Sequence, residues 1–170
     1  MKQYELEDLY MNGTFLSPDF LRFFEDCWIE EQLKILSNGK YVFLDNRQFG
    51  KPRKEFWRII SNSSWEKINF HFELRWNGGT PITEAKKINI RIHLESKFIS
   101  AEQDEKIKGF FKQYGEINRN TIKVQDRYVI PDFSTEETAI ETIQHIIDVL
   151  NSEEFQKWAD IADEYLKANP

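Results

Sequence analysis

Two histidines and two glutamates stand out first. His71-x-Glu73 and His93-x-Glu95 repeat the same spacing in two segments whose apolar and polar residues alternate strictly. Alternation of this kind places every second side chain on one face of a strand. If the two segments pair, imidazoles and carboxylates meet on neighbouring strands. Such a set can hold a divalent metal or supply general acid and base groups. The competing expectation is plain: a half-buried sheet needs polar residues on its wet side, whatever they do. On that view His71, Glu73, Arg75, Asn89, Arg91, His93 and Glu95 form a solvated face laced with cross-strand ion pairs.

The spacing superficially resembles the repeated motifs of two-histidine phosphodiesterases. Those carry Ser or Thr two residues after each histidine, and this chain has glutamate at both places. Glu84-Ala85-Lys86 matches the Glu-x-Lys half-motif of restriction-type nucleases, in which a carboxylate holds the metal and the lysine helps position the attacking water. There the motif sits on an apolar strand, whereas here it follows Thr80-Pro81-Ile82-Thr83, a loop sequence. No phosphate-binding loop, dinucleotide fingerprint or Gly-x-Ser-x-Gly elbow is present, and no cofactor is implied.

The segment from Arg47 to Arg58 suggests binding rather than catalysis. It gathers Arg47, Lys51, Arg53, Lys54 and Arg58 against Glu55 alone, interleaved with Phe49, Phe56 and Trp57. Cations for phosphates and aromatic faces for bases suit a single-stranded nucleic-acid surface, with Trp57 and Arg58 included. The same residues also suit a solvated basic loop beside a strand. Charge is segregated along the chain. Residues 1–31 hold 8 acids and 2 bases, residues 32–131 hold 11 acids and 19 bases, and residues 132–170 hold 10 acids and 2 bases. The acidic tail carries Glu136, Glu137, Glu141, Asp148, Glu153, Glu154, Asp160, Asp163 and Glu164, either a negative face for a basic partner or the wet side of amphipathic helices.

The elements that must position these residues can be read from periodicity. Ser17-Pro18-Asp19 is a helix start, and Phe20, Leu21, Phe24, Cys27, Trp28, Ile35 and Leu36 follow at mostly helical spacing to a stop at Asn38-Gly39. Cys27 reads as a packed core thiol. Short strands are expected at 41–44 and 56–60, and the two alternating segments, Phe70–Trp76 and Ile88–Glu95, are the strongest strand signals. Pairing Glu73 with Arg91 sets His71 opposite His93 and Arg75 opposite Asn89, with opposite charges facing. Ser100 and Gln103 form a capping box for a helix ending at Gly115, and Ser134 with Glu137 forms another. Between them, 121–124 and 127–130 read as two strands joined by a tight turn at Gln125-Asp126. Ile140, Ile143, Ile147 and Leu150 line one terminal helix. Asn151 resets the pattern, and Phe155, Trp158, Ala162 and Tyr165 line the next.

Helix, antiparallel strands, helix, hairpin and terminal helices make an α+β domain over residues 1–170, an antiparallel sheet with amphipathic helices on one face. At 170 residues with 40% hydrophobic and 15% aromatic content, the chain can bury a sizeable core. One cysteine excludes an intrachain disulfide and a cysteine zinc cluster. No signal peptide or membrane-length apolar run is visible, so a cytoplasmic protein with no membrane contact is expected. Oligomeric state is not written in the sequence.

The Phe56-Trp-Arg-Ile strand, Phe70-His-Phe-Glu-Leu, Ile90-Arg-Ile-His-Leu-Glu, a helix with Phe110-Phe111 and a terminal amphipathic helix follow in that order. This layout, from residue 56 to 170, resembles an uncharacterised accessory domain that follows the nuclease domain in some bacterial restriction-like proteins. The match is one of order and texture, and the first 55 residues take no part. The resemblance implies a recognition or assembly role in bacterial defence or a mobile element, and it transfers no catalytic residue. The expectation is therefore a non-enzymatic module contacting protein or nucleic acid. The alternative is a metal-dependent, phosphodiesterase-like hydrolase using His71, Glu73, His93 and Glu95.

Overall fold

The two alternating segments form the centre of a sheet, as their period-two pattern requires. The computed structural model describes residues 18–43, 56–61, 64–65, 68, 70–76, 82–94 and 100–170, with the backbone alone at 18–26, 43 and 56–59. In chain order the elements are α1 (Pro18–Leu36), β1 (Val42–Phe43), β2 (Phe56–Ser61), β3 (Phe70–Trp76), a 3-10 turn (Ile82–Glu84), β4 (Ile88–Leu94), α2 (Ala101–Phe111), β5 (Ile117–Asn118), β6 (Thr121–Val129), α3 (Glu136–Leu150) and α4 (Glu153–Ala168). The described strands form one antiparallel sheet in the order β1-β2-β3-β4-β6-β5. The β3–β4 register is the expected one, with Glu73 opposite Arg91, His71 opposite His93 and Arg75 opposite Asn89.

One sheet face carries Phe70, Phe72, Leu74, Ile88, Ile90, Ile92 and Leu94, all buried. Helices cover this face through aromatic contacts. Phe70 stacks on Phe111 of α2 at 5.8 Å, and Phe72 meets Phe155 of α4 at 5.5 Å. Phe111 and Trp158 lie nearly parallel, 8° apart with centroids at 6.2 Å, which joins α2 to α4. Trp65, 2% exposed, packs edge-on against both Phe70 and Phe72 and donates its indole N–H to Asp163 at 2.8 Å. Helix α1 packs on α3 and beside β1.

Chain ends and turns follow local chemistry. Helix α1 closes with Asn38 and Gly39 at φ 52° and 76°, the left-handed geometry these residue types tolerate best. Ser100 and Gln103 make the expected capping box on α2. The next box belongs to Thr135 and Thr138, one residue beyond the expected Ser134, because the Ser134 N–H bonds the Asp132 carboxylate instead. The Ser134 hydroxyl first, then that N–H bond and the Thr138 hydroxyl, hold the Asp132 carboxyl below its ordinary pKa against a smaller raising by burial.

Three expectations need correction. Residues 121–129 are one strand, not two. Between the pairs Ile90–Arg127 and Ile92–Ile122, residues 123–126 lie opposite Arg91 alone, so the extra length is absorbed as a bulge. Glu154 of α4 accepts from the Gln125 N–H at 3.0 Å and ties the bulge to the helix layer. The true hairpin turn is Arg119-Asn120, with Arg119 at φ 57°, a conformation arginine rarely signals in sequence. Helix α2 ends at Phe111 rather than running to Gly115. Cys27 is half-buried, and Ile35 is 57% exposed, so the C-terminal half of α1 turns part of its apolar stripe outward.

Gly115 has a different purpose from a helix stop. A Cβ there would sit 2.8 and 2.9 Å from the buried ring of Trp158, closer than van der Waals contact allows. Because Trp158 is wedged against Phe111, it has little room to yield. Gly115→Ala is therefore expected to destabilise the fold by about 1–3 kcal/mol through overpacking. Denaturant titration followed by tryptophan fluorescence reads that loss directly.

Candidate functional site

The face of the sheet opposite helices α2 and α4 carries the residues singled out for chemistry. The register sets His71 and His93 side by side, ring centroids 5.6 Å apart and tilted by 40°. Glu73 reaches diagonally across the strands, its Oε2 at 3.2 Å from His93 Nε2 and 3.8 Å from Arg75 Nε. On the other side of β4, Thr121 of β6 brings its Oγ1 to 3.0 Å from the same His93 Nε2. The cluster thus clasps three strands, β3, β4 and β6.

The geometry limits its chemistry. A hydroxyl–imidazole–carboxylate relay needs the hydroxyl on one ring nitrogen and the carboxylate on the other. Here both converge on Nε2, so no proton path runs through the imidazole from Thr121 to Glu73. A protonated His93 gains a charge-assisted bond to Glu73, and a neutral ring with a free Nε2 lone pair accepts from Thr121. Among the described residues, no group of three or more His, Cys, Asp or Glu side chains is arranged to hold a metal ion. Glu95, the fourth residue of the expected metal set, lies outside the described residues.

The solvated-face expectation also needs correction. His71 is 5% exposed and Glu73 is 7% exposed, so alternation in this sheet does not separate dry from wet. A buried carboxylate requires partners, and Arg75 and His93 supply them. Arg91, in the same strand as His93, stays exposed.

The other sequence candidates fall elsewhere. Arg47, Lys51, Arg53 and Lys54 lie outside the described residues, while Trp57 and Arg58 occupy β2 opposite Arg75 and Leu74. Glu84 and Lys86 flank the buried Ala85 at the 3-10 turn and are exposed, off any strand, which departs from the nuclease arrangement. On α3 and α4, Glu136, Glu137, Glu141, Asp148, Glu153, Asp160 and Glu164 are exposed, while Glu154 and Asp163 bond the sheet layer. No helix among the described residues is long and apolar enough to cross a membrane.

Two features escaped the sequence reading. Thr121 joins the clasp only because the bulge in β6 shifts its register, and no local pattern announces that. Tyr41 is buried at the junction of α3 and α4, where its hydroxyl donates to Asn151 Oδ1 at 2.9 Å or Leu150 O at 3.3 Å and accepts from Gln156 Nε2 at 3.0 Å. Lys40 adds bonds to Asn151 and Gln156 at 3.0 and 2.9 Å. A lysine followed by a tyrosine at residues 40–41 gives no hint of contacts more than 100 positions away.

Fold and site together define an α+β protein whose antiparallel sheet is helix-covered on one face and carries a polar cross-strand clasp on the other. No protein-family model, curated protein or solved structure matches the chain.

Proposed function

We propose that the protein is a non-enzymatic binding module that acts by contact with a protein or a nucleic acid. The observation that carries this reading is the clasp itself. The residues best suited to catalysis are engaged with one another, Glu73 with His93 and Arg75, and His93 with Thr121, in an arrangement that ties strands together. Segregated charge supports contact as the mode of action, with acids exposed on α3 and α4 and bases concentrated in the middle of the chain. The resemblance of residues 56–170 to an accessory domain of restriction-like proteins supports a setting in bacterial defence or counter-defence. The alternative is a metal-dependent hydrolase, for which the close approach of His71 and His93 is the supporting observation.

Binding to short labelled single- and double-stranded DNA and RNA across a salt series tests the nucleic-acid arm. For a phosphate-contacting surface, affinity falls steeply with salt, and charge reversal at Arg53 and Lys54 flattens the slope by about 0.7–0.9 per lost phosphate contact. Metal-dependent turnover of a phosphodiester, abolished by His71→Ala or His93→Ala, contradicts the module reading and establishes the hydrolase.

A further inference from the structure

The strands β4 and β6 build a second surface on the face opposite α2 and α4. Asn89 pairs with Tyr128, flanked by the pairs Ile88–Val129 and Ile90–Arg127. Because Ile88, Ile90 and Val129 are buried, strand alternation turns Asn89 and Tyr128 to the opposite side, away from the helices. Arg91, two residues from Asn89, shares that side and is exposed. Tyr128 is 49% exposed near the end of β6, and Ile130, just past the strand, is 64% exposed. Lys87 holds its ammonium 3.9 Å from the Tyr128 ring centroid.

We propose that this patch binds single-stranded nucleic acid, with Tyr128 stacking on a base and Lys87 and Arg91 contacting phosphates. The inference rests on the reading of the protein as a contact module and names one partner chemistry for it. An exposed aromatic ring beside cations is the pairing that sequence-tolerant single-strand binding uses, since every base has a stacking face and every link a charge. Lys87 and Arg91 lie four positions apart in and just before β4, about 13 Å along the strand, so they reach phosphates on either side of a stacked base. Lys87 and Arg91 enter no ion pair among the described residues. The chain's net charge of −6 does not oppose this, because the exposed acids of α3 and α4 belong to the layer on the far side of the sheet. The acid carried by β6 itself is Asp126, in the bulge.

The test is fluorescence anisotropy of the full chain with short labelled oligo-dT and oligo-U, a duplex as control, between about 50 and 200 mM salt. Tyr128→Ala is expected to weaken single-strand binding about 5- to 150-fold, whereas Tyr128→Phe keeps the stacking face and stays near wild type. Lys87→Ala with Arg91→Ala should lower the salt slope by about 1.4. All of these positions are exposed, and matching thermal melts confirm that the variants fold. Stronger oligo-U than oligo-dT binding identifies RNA as the source, and the reverse identifies DNA. Absence of single-strand binding at low salt overturns the proposal. So does binding that survives Tyr128→Ala but disappears on charge reversal at Arg53 and Lys54, a result that leaves the module reading intact. Metal-dependent cleavage of the oligonucleotide, read on a gel from the same mixtures, contradicts the module reading instead.

Discussion

Phe72→Ala is expected to remove about 3–5 kcal/mol of folding free energy, the cost of emptying a large aromatic site in a packed core. Phe72 is fully buried on β3, and four rings surround it: Tyr41 at 6.1 Å, Trp65 at 5.4 Å, Phe70 at 5.7 Å and Phe155 at 5.5 Å. Those neighbours come from the segment after α1, the segment after β2, the strand itself and α4. A cavity there therefore loosens the sheet from α4 and from the Tyr41 junction at once, and the surrounding rings cannot collapse into it without leaving their own contacts. Single domains hold about 5–15 kcal/mol in total, so the variant should be marginal. Phe72→Leu keeps most of the volume and should cost under half as much. Urea unfolding followed by tryptophan fluorescence measures both. A loss below about 1 kcal/mol for the alanine variant would contradict the view that this ring is the hub of the core.

Stability is also expected to fall by about 2 kcal/mol between pH 10 and pH 12 through Tyr41 alone. Burial pushes this phenol from its ordinary 10.0 up to about 12, against a smaller lowering by its bond from Gln156. The sign follows from which state keeps the proton. Below pH 10 the phenol is neutral in both states and contributes no pH dependence. Between pH 10 and 12 the unfolded chain ionises while the folded chain holds its proton, so each unit of pH favours unfolding by about 1.4 kcal/mol. Above about pH 13 both states are ionised and no further stability is lost. Tyr41→Phe removes this slope, although it also strands Asn151 and Gln156 and should cost about 1–2 kcal/mol at neutral pH. The informative quantity is the difference between wild type and Tyr41→Phe, measured by denaturant titration at pH 9 and again near 12. A difference that does not change with pH would show that the hydroxyl is not held neutral in the folded state.

The class of fold, the two central strands and their register were legible because each rests on local pattern. Strict alternation in 70–76 and 88–94 specifies strands, and the opposite charges of Glu73 and Arg91 favour the register the sheet adopts over a two-residue slip that keeps the same faces. The apolar stripes of α3 and α4 and the Asn38-Gly39 stop are equally local. What failed was non-local. Gln125-Asp126 has turn chemistry, yet it lies within a continuous strand because Glu154 bonds the Gln125 N–H and lets the ladder bulge. Ser134 is as good a cap as Thr135 by type, but the Asp132 carboxylate captures its N–H first.

By itself, then, the sequence determined an α+β domain with a helix-covered antiparallel sheet, since period and capping are properties of neighbouring residues. Only the tertiary structure decided what the polar sheet face is. Burial of His71 and Glu73 depends on what lies over them, and the convergence of Glu73 and Thr121 on one nitrogen of His93 depends on a register shift in a third strand. The exposure of Tyr128 beneath Lys87 was likewise invisible, because a tyrosine in an alternating strand reads the same whether its face is covered or open.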